Sequence, residues 1–244
     1  MRLEPHVPGP SSLLRLWEDS LDAHPLDRSL AVLRAIYPAI DRGTIADRTA
    51  GERDALLLRA RDAFFGPRID ATAVCPACGE RNELTLDAAA LTVAPNATTA
   101  ETAPAAPPLV YVGTLAFRVP TSRDIAAAID IDAAHMARAI ARRCFAGEEP
   151  SPEISDELML ELNEQLTGAD PQADVELALA CDACGGSWTV PFDIGVLLWD
   201  ELSACARTLL SEIDILARAY GWSEDEILAL TDSRRARYVE LAST

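Results

Sequence analysis

Cys75-Pro76-Ala77-Cys78-Gly79 and Cys181-Asp182-Ala183-Cys184-Gly185 are two copies of one short pattern, with 102 residues between Cys78 and Cys181. A tetrahedral structural metal site needs four soft ligands, and two CxxC pairs supply four thiolates. The two-residue gap lets both sulfurs of a pair face one ion from a tight turn. The glycine after each second cysteine permits the positive φ that such a turn calls for. Segments 69–74 and 83–86 flank the first pair with strand character, and segments 175–179 and 188–192 flank the second. The pattern therefore predicts a split zinc ribbon: one structural Zn²⁺ held by Cys75, Cys78, Cys181 and Cys184 at the tips of two β-hairpins. Compact ribbons separate their pairs by about 15–20 residues, whereas here a whole subdomain intervenes. That is tolerable, because loop-closure entropy grows only logarithmically with length. Two other uses of such cysteines stay open. A redox-active CxxC belongs at a helix N-terminus, which depresses the thiol pKa, and these pairs sit in hairpin turns. An iron–sulfur cluster also takes four cysteines, and only the ribbon-like context separates it from zinc.

Around the hairpins the periodicity is helical, so the chain reads as α+β and predominantly helical. Residues 1–66 read as three short helices: one capped by Ser11 or Ser12, one carrying Leu26, Leu30, Leu33 and Ile36, and one opened by Thr49-x-x-Glu52 and closed by Gly66-Pro67. Residues 67–92 form the first zinc hairpin. Residues 93–108 contain four prolines and read as a flexible linker. Residues 109–171 read as a strand to about 119 followed by helices, the last spanning 152–166 with Gly168 after it. Residues 172–192 form the second hairpin. Residues 193–244 read as a long helix ended by Gly221, a short one capped by Ser223-x-x-Glu226, and a final turn capped by Ser233. The expectation is one composite domain with the ribbon central and the long helix packed beside it.

Composition narrows the function. The net charge is −18, and all 21 basic residues are arginine. So acidic a chain repels nucleic-acid phosphates and anionic lipid, and no run is apolar enough to span a membrane. The N-terminal MRLEPHVPGPSS has no apolar core of a secretory signal, which predicts a cytoplasmic protein whose cysteines stay reduced. Without lysine, Walker-type phosphate binding and Schiff-base chemistry are excluded. No GxSxG or HExxH occurs, and an all-cysteine site leaves no open coordination position, so no catalytic residue or small-molecule substrate is expected. Cys144 and Cys205 read as small buried apolar residues, and His6, His24 and His135 stand alone. Arg234, Arg235 and Arg237 suit either an acidic partner or compensation of a helix dipole.

The C-terminal part carries a further signal. Trp199-x-Glu201 is followed by Ala217-Arg218-Ala219-Tyr220-Gly221-Trp222-Ser223-Glu224-x-Glu226-Ile227-Leu228 and by Arg234-Arg235-x-Arg237-Tyr238. With the CxxC pairs, Phe117-Arg118-Val119-Pro120-Thr121-Ser122-x-Asp124 and Asp170-Pro171-Gln172-Ala173-Asp174-Val175, this resembles the baseplate-hub and hub-assembly proteins of contractile-tailed phages and related extracellular contractile injection systems. The resemblance implies a non-enzymatic protein, either an assembly chaperone or a minor component of a phage-tail-like particle, whose partners are other baseplate or tail proteins. It hands over no binding residues. The alternative reading is a zinc-ribbon adaptor acting on the transcription or translation machinery, which the acidic charge disfavours.

Overall fold

The computed structural model describes residues 3–93, 106–148 and 150–243. Helices α1 (Pro10–Asp19), α2 (Pro25–Ile36) and α3 (Ala50–Phe65) lead into the hairpin β1 (Arg68–Val74) and β2 (Arg81–Asp87). A second hairpin, β3 (Leu109–Val112) and β4 (Leu115–Arg118), precedes helices α4 (Ser122–Ala126), α5 (Ala133–Cys144) and α6 (Asp156–Ala169). A third, β5 (Glu176–Ala180) and β6 (Ser187–Pro191), runs into the long α7 (Ile194–Tyr220), then α8 (Glu224–Leu228) and α9 (Asp232–Ala242). Each hairpin is its own two-stranded antiparallel sheet. Of the expected linker, residues 94–105 lie outside the described residues.

Local chemistry explains most boundaries. Thr49 accepts from the Glu52 N–H to open α3, Asp193 accepts from Val196 to open α7, and Ser223 with Glu226 forms the reciprocal capping box of α8. Gly221 ends α7 in the left-handed region at φ 70°. Other boundaries differ from the sequence reading. Gly9 is the N-cap of α1 and Pro10 takes the first helical position, so Ser11 and Ser12 lie inside the helix. Thr231, not Ser233, stands at the N-cap of α9. Helix α6 begins after Ser155, whose side chain caps it, and runs through Gly168. The single strand expected at 109–119 is a hairpin that turns at Gly113, φ 57°.

Two cores result. The larger joins α1, α2 and α3 to α7 through residues such as Leu33, Ile36, Leu56, Leu57, Leu198 and Leu202. Each such side chain contributes about 1.5–3 kcal/mol on burial. The long helix therefore packs among helices rather than along the ribbon. The cysteine hairpins meet this core at their base, through Leu86, Val175, Leu177 and Phe192. The smaller core, with Val110, Phe117, Ala141, Ile154 and Leu162, belongs to the segment inserted between the hairpins.

A polar seam locks the insert to the larger core. Thr49 and Thr121 form a β-bridge, Ala50 donates to the Pro120 carbonyl at 3.3 Å, and Ser122 donates to that of Arg48 at 3.2 Å. Asp170 accepts from the Gly51 N–H at 2.8 Å, supplementing the Thr49 cap of α3. A Cβ at position 51 would stand 2.1 Å from Asp170 Oδ1 and 3.0 Å from the Ala173 nitrogen. Gly51→Ala is thus expected to cost at least about 2 kcal/mol in urea unfolding, well above the typical gain from glycine-to-alanine in a helix. A neutral or stabilising result would show that the seam does not depend on this close approach.

Within the insert, Asp124 is buried between β4, α4 and the end of α5. It meets the Arg118 guanidinium through two contacts, one at 2.7 Å, accepts from the Thr121 N–H at 3.0 Å and hydroxyl at 2.7 Å, and lies 3.5 Å from Arg143. Burial raises its pKa, but the Arg118 and Thr121 hydrogen bonds outweigh that and hold it down to about 2. With an unfolded value near ~3.9, the ionised group contributes about 2–3 kcal/mol, present above pH ~4 and lost as pH falls toward the folded pKa. Asp124→Asn is expected to unfold more easily at neutral pH, with the gap to wild type narrowing between pH 5 and pH 3. A gap that stays constant over that range would remove the ion pair as its cause.

Candidate metal centre

Each CxxC turn is built by the same two backbone hydrogen bonds. In the first, Gly79 donates to the Cys75 carbonyl at 2.9 Å and Cys75 donates to that of Glu80 at 2.8 Å. In the second, Gly185 donates to Cys181 and Cys181 to Gly186, both at 2.9 Å. Gly79 and Gly185 have φ of 78° and 70°, the conformation for which glycine was expected at those positions. The turns point the four sulfurs at one another. Cys75 and Cys184 Sγ are 3.8 Å apart, Cys78 and Cys181 Sγ are 3.6 Å apart, and all four lie within 4.8 Å.

These separations suit one ion. Four thiolates bonded tetrahedrally at ~2.3 Å have sulfur–sulfur edges of ~3.8 Å. A disulfide requires ~2.05 Å, and all six cysteines are free thiols. Cys75 and Cys181 are 1% and 2% exposed, whereas Cys78 and Cys184 face solvent. The site is buried on the side of the hairpins and open at the tip.

Electrostatics favours a cation at the centre. The backbone N–H of Cys184 pulls the Cys181 thiol down to about 6, against its burial. The Glu80 N–H also pulls on Cys78, but the neighbouring Cys181, Cys184 and Cys75 sulfurs push that thiol up to about 12. Four sulfurs this close cannot all ionise by themselves, and a divalent ion among them removes the conflict.

Sequence reasoning missed the residues that hold the two turns together. Asn82, on β2 and nearly fully buried, accepts from the Asp182 N–H at 3.3 Å and donates to the Glu80 carbonyl at 3.1 Å. Gly186 lies against the opposite turn: a Cβ there would sit 3.3 Å from Cys184 Sγ and 3.9 Å from the Ala77 Cβ. Asn82 was legible only as a polar residue at an inward position of an alternating strand, since its partner is 100 positions away.

The remaining candidates lie elsewhere. Cys144 is buried, and burial pushes its thiol up to about 12. Cys205 is half-buried on α7. His24 caps α2 by accepting from Leu26, and exposed His135 pairs with Asp132. Glu52, Asp54 and Asp170 form a group of acids whose pKa values burial raises. Each is bound internally: Asp54 to Arg53 at 2.7 Å, Glu52 to Arg48 at 4.0 Å, and Asp170 to Gly51. No helix among the described residues is long and apolar enough to cross a membrane.

Comparison with protein-family models, with curated proteins and with solved structures returned no match.

Metal removal by a chelator, or Cys181→Ser, is expected to lower global stability by about 2–5 kcal/mol, the range for losing a comparable cross-link. Amide exchange in β1, β2, β5 and β6 should accelerate in step. Cys205→Ser serves as the control and should leave both readouts unchanged. A metal-free protein that keeps wild-type stability would refute the clasp.

Proposed function

We propose that this chain is a zinc-clasped, non-enzymatic assembly protein that works by presenting helical surface to protein partners. Zinc is the ion that best suits four thiolates at the edge lengths of a single tetrahedron, because it is redox-inert and prefers this geometry and ligand set. A polynuclear iron–sulfur cluster distributes its thiolates over different iron atoms and spreads them further apart. With every ligand position taken by cysteine, the ion supports the fold rather than a reaction.

The observation that carries the assembly role is the surface where α7, α8 and α9 meet. Tyr220 and Trp222 stack with centroids 4.7 Å apart, and Tyr238 packs edge-on to both, at 5.7 and 4.9 Å. The Arg234 guanidinium lies over the Tyr238 ring. Arg234, Tyr238 and Leu241 recur at helical spacing on one stripe of α9, and Leu241 is 58% exposed. Tryptophan, tyrosine and arginine, held rigid and partly exposed, are the residues that dominate protein interfaces. Arg235, by contrast, is buried against Glu212 and Asp232 and anchors α9 to α7. Of the C-terminal arginines, Arg234 rather than Arg235 belongs to the docking surface.

The C-terminal resemblance gives the partner: the baseplate of a contractile phage-tail-like particle, joined either transiently or as a minor component. The acidic charge supports protein partners with basic surfaces over nucleic acid or membrane. The test is co-purification of the tagged chain from the cells that encode it, beside the surface variant Arg234→Glu/Leu241→Ser. Sheath, tube or baseplate proteins should accompany the wild type and be lost with the variant. Polymerase or ribosomal partners, or binding that survives the substitutions, would overturn the proposal.

A further inference from the structure

The outer edge of β5 belongs to elements other than the C-terminal helices. Cys181 donates to Gly186, and Phe192 donates to Val175 at 2.8 Å. The intervening register pairs Leu177 with Val190 and Leu179 with Trp188. In an antiparallel ladder, hydrogen-bonded pairs alternate. The N–H and C=O groups of Leu177 and Leu179 therefore point to β6, and those of Glu176, Ala178 and Ala180 point away from it. Among the described residues no strand pairs with that edge.

This edge differs from a bare hairpin edge because a cavity of about 460 Å³ runs along it. One wall is 174–179; the other is apolar, with Leu86, Ala90, Leu91 and Val93, and Pro171 at one end. The far wall is fixed: Gln172 accepts from the Val93 N–H at 2.9 Å and donates to the Leu91 carbonyl at 3.2 Å. Exposed Asp174 and Glu176 stand at the rim.

We propose that this groove binds an extended peptide segment of a protein partner, which adds a strand to β5. Three features define the occupant. The outward N–H and C=O groups of Glu176, Ala178 and Ala180 require main-chain complementarity, which an extended peptide supplies. The Leu86, Leu91 and Val93 wall takes every second side chain as an apolar residue, following the two-residue period of a strand. The acidic rim takes basic residues at the alternate positions. The site is a peptide groove for alternating apolar and basic sequence, on elements separate from the C-terminal surface, and it stands whether or not the tail-particle reading holds.

Proline substitution tests it cleanly. The Ala178 N–H faces away from β6, and proline is tolerated on an edge strand at such a position. Ala178→Pro should keep the metal and the fold while removing one donor and obstructing the edge. The probe is a fluorescent eight-residue peptide alternating valine and arginine, measured by anisotropy against the metal-loaded full chain. A scrambled peptide and one N-methylated at alternate amides are the controls. Wild type should bind the alternating peptide and protect the amides of residues 176, 178 and 180 from exchange. Both the N-methylated peptide and Ala178→Pro should weaken binding at least about tenfold. Arg234→Glu/Leu241→Ser should bind the peptide as wild type does, which separates this site from the proposed baseplate surface. Equal binding of the scrambled or N-methylated peptide would reduce the effect to charge attraction and overturn the proposal. So would absence of binding, or a wild-type dimer that Ala178→Pro converts to a monomer, since the edge would then belong to a second copy.

Discussion

Four cysteine sulfurs brought within 4.8 Å of one another are the constraint on which the rest of this structure depends. They come from hairpins that the sequence keeps 102 residues apart, and the hairpin bases lead into different helices of one core. A clasp across such a span removes a large amount of freedom from the unfolded chain. By analogy with a disulfide closing a loop of ~100 residues, the entropic effect is ~4–5 kcal/mol. The backbone itself shapes the site. Two glycines at positive φ, two matched pairs of turn hydrogen bonds and the Asn82 bridge set the sulfur positions.

The clasp does not act alone. The intervening insert carries its own core and returns to α3 through the Thr49–Thr121 bridge and the Asp170–Gly51 bond. The chain is thus brought together twice, by the cysteine cluster at the hairpin tips and by a polar seam at the N-terminus of α3. The two closures differ physically. The first rests on four thiols placed to share a metal ion, whereas the seam depends on buried backbone and carboxylate groups. The groove beside β5 lies between the two cysteine hairpins, with Leu86 on one wall and residues 174–179 on the other.

Much of this was legible in the sequence wherever the signal is local. The CxxC turns, the Ser223–Glu226 capping box, the Gly221 stop and the stripe of α7 are each written within a few residues, and their physics acts within a turn. The misreadings follow the same logic. Gly113 inside a β-prone run marks a hairpin turn, but without the partner strand it reads as a weak point in one strand. Pro10 displaced the cap of α1 from Ser11 to Gly9, because proline suits the first helical position regardless of a serine nearby. Asn82 with Asp182 and Gly51 with Asp170 are pairs 100 and 119 positions apart. Neither pairing is written locally, beyond the inward polar Asn82 of β2, so these supports of the site could be seen only in three dimensions.

The absence of lysine becomes intelligible in the same terms. Arg61 donates to both carboxylate oxygens of Glu201 on α7, at 3.1 and 2.8 Å, and to the Gly66 carbonyl at the end of α3. Arg118 serves both Asp124 oxygens and the Arg143 carbonyl, and Arg235 joins Glu212 to Asp232. Each is a planar fork serving two or three acceptors on different elements, a task a lysine ammonium performs poorly. Each of these cations is matched by at least one carboxylate, so the pairing does not make the surface less acidic than the net charge of −18 implies. Arg234 is exposed like several other arginines, and it differs in lying over the Tyr238 ring of the aromatic cluster beyond the long helix. On the proposed docking role, the complement of Arg234 and Leu241 is an acidic or apolar spot within an otherwise basic contact.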